Sequence, residues 1–141
     1  MKPAMCVAED VVRLVKIQSG EPHLVVGCVI VDRGTDSVGK TWLCAELMRG
    51  RIAAAVTEDR AHREAGRAVK TPPEIAEELV VVEHVPGGLR MFIRPVMFDQ
   101  YGLEATKLFT ALARMAIAAA IEQDRTSAPH HRPRPERLRR E

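Results

Sequence analysis

Eight consecutive residues, Gly34 to Thr41, read GTDSVGKT and satisfy the pattern GxxxxGK[ST] at every fixed position. That pattern is the phosphate-binding P-loop, or Walker A sequence. Gly34 and Gly39 permit positive φ and let backbone come close to an anion. Successive N–H groups then form a concave nest for phosphate oxygens, with Asp36, Ser37 and Val38 completing the cofactor-binding set. A helix opening at the loop adds its N-terminal dipole. Lys40 would meet the β- and γ-phosphates as a point charge, and Thr41 would place its hydroxyl on Mg²⁺. The expected cofactors are ATP or GTP with Mg²⁺. A second metal-orienting acid belongs at the end of a neighbouring strand. Glu83, which closes the apolar run Leu79–Val82, is the natural candidate. His84 beside it reads as a turn or surface residue.

The elements around the loop set its context. Val7 to Gln18 carries an apolar stripe at helical spacing and predicts a helix ended by Ser19-Gly20-Glu21-Pro22. HLVVGCVIV, residues 23–31, reads as one continuous strand buried on both faces. Residues 40–69 read as helix, with Gly50 as a break point. Lys70 to Pro73 reads as a linker and Glu74 to Glu78 as a helical turn. Leu79 to Val85 reads as a second strand. Pro86-Gly87-Gly88 is a turn, and Leu89 to Val96 a third extended segment that Pro95 places at an edge or end. Gly102 to Asp124 is the clearest helix, with Leu103, Leu108, Leu112, Met115 and Ala119 on one stripe. That stripe reads as core or subunit interface. Ala111, Ala116, Ala118, Ala119 and Ala120 allow close packing, so a homodimer through 103–121 is expected. No internal repeat is evident.

Composition bounds the rest. A chain of 141 residues with 46% hydrophobic and 28% charged residues suggests one soluble globular domain. The domain is expected over 1–124, followed by a basic, disordered tail over 125–141. That tail carries six Arg against two Glu and would suit an acidic partner. Removing it is expected to leave the melting temperature nearly unchanged. Without the tail the chain is slightly acidic, which argues against general nucleic-acid binding. Cys6, Cys28 and Cys44 fit neither a disulfide framework nor a zinc site, and Cys28 and Cys44 read as small buried hydrophobes. His130-His131 fall in the tail, where no metal role is expected. No apolar run approaches a membrane span and the start lacks a signal-peptide core, so a cytoplasmic protein is expected.

The Asp at the third loop position, followed later by LVVVEHVPGGLR and LEATKLFTALARM, resembles the thymidylate kinase branch of P-loop nucleotide kinases. The resemblance covers residues 24–117 loosely. It implies ATP-dependent phosphoryl transfer, with Arg114 approaching the substrate nucleotide beside Lys40. The family's Arg-rich lid and its later Asp-Arg-aromatic strand have no counterpart here, which implies a truncated or divergent relative. The corresponding fold is α/β, a small P-loop-type sheet flanked by helices. The competing reading is an α+β protein-binding or assembly module without nucleotide, with antiparallel hairpins packed on helices. Its partners would meet the basic tail and the Ala-rich C-terminal helix. Lys40 to Leu47 separates the two: helix supports the first, strand the second.

Overall fold

The computed structural model describes residues 2–16, 22–32, 38–98 and 102–127. Ten elements follow in order: α1 (Ala4–Val11), β1 (Val12–Lys16), β2 (Pro22–Val26), β3 (Val29–Asp32), α2 (Val38–Glu64), α3 (Pro72–Leu79), β4 (Val80–Val85), β5 (Gly88–Ile93), β6 (Val96–Phe98) and α4 (Leu103–Ser127). The strands form two antiparallel three-stranded sheets, ordered β1-β2-β3 and β4-β5-β6. Among the described residues no strand pair is parallel, so the α/β P-loop sheet is corrected to α+β.

The departures from expectation are local and physical. The helix expected over 7–18 ends at Val11, and Val12–Lys16 becomes a strand. Val12 is buried and Arg13 exposed, the two-residue alternation of a half-covered strand. HLVVGCVIV is a hairpin rather than one strand. Gly27 takes φ 63°, donates its N–H to Val11 O at 2.9 Å, and with Cys28 turns β2 into β3. Cys28 is exposed and Cys44 half-buried, so neither is the buried hydrophobe expected. The segment 89–96 likewise splits at Arg94-Pro95 into β5 and β6. Helix α2 runs unbroken through Gly50, which is exposed. Thr71 caps α3 with a reciprocal pair: Glu74 N–H donates to Thr71 Oγ1 and Thr71 N–H to Glu74 Oε1.

The order α-β-β-β-α occurs twice, and the halves agree in detail. Val12 faces Val26 and Val26 faces Val29 in the first half. Val80 faces Ile93 and Ile93 faces Val96 in the second. The long helices then reveal a sequence repeat, RGRIAAAVTEDR over 49–60 and RMAIAAAIEQDR over 114–125. The absence of a repeat is thereby corrected. Several of the shared positions have the same job in both halves. Arg49 Nε donates to Val12 O, and Arg114 Nε to Val80 O, both at 2.8 Å. Ile52 and Ile117 are fully buried, as are Val56 and Ile121. These side chains join Leu24, Met48, Met91 and Ile93 in one cluster drawn from both halves.

The last repeated pair, Asp-Arg, clasps the halves reciprocally. Arg60 donates to both oxygens of Asp124, its Nε at 3.1 Å from Oδ2. Arg125 donates to both oxygens of Asp59, at 3.1 and 2.7 Å. Arg63 bridges the two carboxylates, at 3.1 Å from Asp59 and 3.2 Å from Asp124. Both aspartates have side chains only 3% exposed. Burial alone would raise the Asp59 carboxyl. The hydrogen bond and charge of Arg125, then of Arg63, outweigh it and hold the group below its ordinary value. Arg125 is thus part of α4 and of the clasp, so ordered structure continues past the residue 124 expected to close the domain. The tail beyond Ser127 lies outside the described residues.

Candidate functional site

The P-loop residues divide. Gly34, Thr35, Asp36 and Ser37 lie outside the described residues. Val38 and Gly39 begin α2, the next described element after β3, and Lys40 is exposed on its first turn. The stretch 40–47 is therefore helix. Thr41 is 1% exposed and packs inward, as does Thr106 at the equivalent position of α4. Glu83 is exposed on β4, in the second sheet, opposite Arg90 on β5. Thr41 is thus buried near the start of α2, while Glu83 is exposed on the second sheet. Among the described residues no group of three or more His, Cys, Asp or Glu is placed to hold a metal ion. Arg114 directs its Nε to Val80 O, as its counterpart Arg49 does to Val12 O.

Three concavities stand out among the described residues. Two sit at equivalent corners beside the clasp, between α2 and α3 and between α1 and α4. In the first, Lys70 pairs with Glu78; in the second, Lys2 pairs with Asp10. Their volumes of about 110 and 240 Å³ fall below the roughly 300 Å³ at which small-molecule sites begin. The third is an open groove of about 330 Å³ between α4 and the second sheet. Val82, Leu89 and Ala111 give it an apolar floor, and His84, Lys107 and Arg114 stand around it. Here the structure brings His84 and Arg114 together, as neighbours on a shallow surface.

The unusual surface is apolar. On α2, Trp42, Leu43 and Leu47 are 49%, 57% and 44% exposed. On α4, Leu108 and Met115 are 55% and 66% exposed. Between Lys107 and Glu122, the exposed residues of α4 are Leu108, Ala111, Met115 and Ala119, without a charge. A solvated helix face ordinarily alternates charges there. Leu43 and Leu108 occupy equivalent positions, so both halves keep a large apolar side chain where solvent would favour a polar one. Covering a half-exposed Leu or Met releases about 1 kcal/mol, half the cost of exposing it fully.

This surface narrows the expectation for α4, core or subunit interface, to the outer side of the helix. Its core side is Thr106, Thr110, Ala113, Ile117, Ile121 and Asp124. The stripe through Leu103, Leu108, Met115 and Ala119 is the outer face, with Leu112 half-buried at its margin. Ala111 and Ala119 are exposed, while Ala116, Ala118 and Ala120 are half-buried. The α2 residues Trp42, Leu43 and Leu47 were absent from the sequence-based site. The signal that finds them is the repeat: aligning α2 on α4 sets Leu43 on Leu108, outside the shared Ile and Val core positions.

Comparison with protein-family models, curated proteins and solved structures gives no match. The molecule is a duplicated α+β protein with apolar faces on its two long helices. No helix among the described residues is long and apolar enough to cross a membrane.

Proposed function

We propose that this chain is a protein-binding or assembly module that docks partners on the outer faces of α2 and α4. The observation that carries this is the uncharged exposed run of α4 from Leu108 to Ala119, matched at Leu43 in the other half. Exposed apolar area of this kind marks interaction surfaces. The Arg-rich sequence beyond Ser127 supplies positive charge for an acidic segment of such a partner. Peptide display on the folded chain tests the reading. Selected peptides should carry apolar anchors and bind at least about tenfold less well to Leu43→Ser/Leu47→Ser, as expected when two hydrophobic anchors lose about 1 kcal/mol each. Trp42, the single tryptophan, should shift its emission to the blue as it is covered. Failure to enrich any peptide, or equal binding to the variant, rejects the reading.

A second reading keeps a specific observation. Helix α2 opens at Val38, where a P-loop helix should, and leaves Lys40 exposed. That start supports phosphate binding by the 34–41 segment, with ATP or GTP as ligand. Calorimetry with each nucleotide and Mg²⁺ should show micromolar binding that Lys40→Ala abolishes. No heat from folded protein removes this reading.

A further inference from the structure

We infer that the outer face of α4 is closed by the same face of a second copy of this chain, packed antiparallel about a twofold axis. This deepens the proposal that the chain is an assembly module and rests on it. The face reads, in order, Lys107, Leu108, Ala111, Met115, Ala119, Glu122: a cation, then large, small, large, small, then an anion. That order is self-complementary when reversed. Antiparallel pairing centred near Ala113 sets Leu108 against the partner's Ala119 and Met115 against the partner's Ala111. It also brings Lys107 within a helical turn of the partner's Glu122, at both ends of the contact. Parallel pairing would instead oppose Leu108 to Leu108, Met115 to Met115 and Lys107 to Lys107.

The groove beside Ala111 supports the same occupant. Its floor of Val82 and Leu89 adjoins Ala111, where the antiparallel register delivers the partner's Met115. Among the described residues, Met115 is the most exposed of the large apolar side chains. A flexible, unbranched thioether suits an irregular groove of this kind. A twofold axis makes both such insertions at once, as an isologous interface must. From Lys107 to Glu122 the helix pair is about 24 Å long, at 1.5 Å per residue. One helix pair with two insertions lies at the small end of specific interfaces, below about 1,200 Å², so a micromolar equilibrium is expected.

Sedimentation velocity of the full chain over a concentration series tests this. The wild type should pass from monomer to dimer in the micromolar range. Met115→Lys should remain monomeric throughout, with an unchanged circular dichroism spectrum, because Met115 is mostly exposed and stands outside the core cluster. Lys107→Glu and Glu122→Lys should each weaken the dimer about three- to tenfold, since each sets like charges at both ends. Combining them exchanges the charges and should restore wild-type affinity within about twofold. A wild type monomeric to millimolar concentration overturns the inference. So does a dimer indifferent to Met115→Lys, or a charge-exchanged variant weaker than either single one. A monomer that still captures displayed peptides through Leu43 and Leu47 overturns the dimer and leaves the docking reading intact. A monomer that captures none overturns both.

Discussion

Asp59→Ala is expected to destabilise the fold by about 3 kcal/mol, because it removes the buried carboxylate that two part-buried guanidinium groups share. Arg125 and Arg63 both donate to that carboxylate, and each lies mostly out of solvent. At this chain length the loss corresponds to a melting temperature lower by roughly 10 °C. Asp124→Ala should do the same, since Asp124 receives Arg60 and Arg63. The equality is a consequence of the duplication and is itself a check: two positions 65 residues apart in the repeat should cost alike. A drop under about 1 kcal/mol for either, the level of an exposed pair, would refute the clasp as a structural element. The pH dependence follows from the lowered Asp59 group. Its contribution is complete above the unfolded-chain value of about 3.9. It declines as pH falls below that value and is gone once pH passes beneath the folded-state value. Asp59→Ala should therefore flatten the acid limb of the stability curve. Truncation reads the same network. Ending the chain at Asp124 removes Arg125 and should cost a similar amount. Ending it at Ser127 keeps the clasp and should leave the melting temperature almost unchanged.

How much of this was legible beforehand depends on what signal each element carries. Helix α4 and the β4–β5 hairpin were, because both have strong local cues: apolar residues at helical spacing, and Pro86-Gly87-Gly88 between extended runs. Strand β1 was hidden by ambiguity. Val11, Val12, Leu14 and Val15 satisfy a helical stripe, and only the sheet's two-residue alternation, which needs β2 beside it, decides otherwise. The β2–β3 hairpin was hidden because valines flank a single glycine, so the turn looked like one continuous strand. Misreading that hairpin had a large effect. One long strand before GTDSVGKT suggests a parallel P-loop sheet; two short antiparallel strands do not. The repeat was missed for a different reason. The two copies share almost nothing through their strands, where any β-branched residue serves, and agree mainly along one stretch of the long helices, at positions that include those where a specific atom is needed. Arg49 and Arg114 must reach a carbonyl, Ile52 and Ile117 must fill the core, and the Asp-Arg pairs must cross. The exposed apolar faces were only half legible. Helical spacing locates a stripe on α4, but which side of the helix faces water depends on the sheet that covers the other side.

Gly27→Ala is expected to cost about 3 kcal/mol, and the cost should divide into two separable parts. The backbone at Gly27 has φ 63°, which an L side chain occupies at a penalty of about 1–2 kcal/mol. An added Cβ would also stand 2.4 Å from the Ala116 Cβ, a distance at which the β2–β3 turn or α4 has to move. Overfilling a packed site of this kind costs about 1–3 kcal/mol. The turn has little freedom to retreat. Gly27 N–H is bonded to Val11 O, and Gly27 O accepts from Arg13 Nη2 at 2.9 Å. Ala116→Gly alone should cost about 1 kcal/mol, the helix penalty of glycine. In Gly27→Ala/Ala116→Gly the clash is gone, so the double variant should be more stable than the sum of the single losses by about the overfilling cost. Chemical denaturation of the four proteins measures that coupling. Strict additivity would mean that the turn does not press on α4, and that φ alone requires glycine at position 27. Strong coupling would show the first half's hairpin seated against the second half's helix, which is how one core comes to be shared by both copies of the repeat.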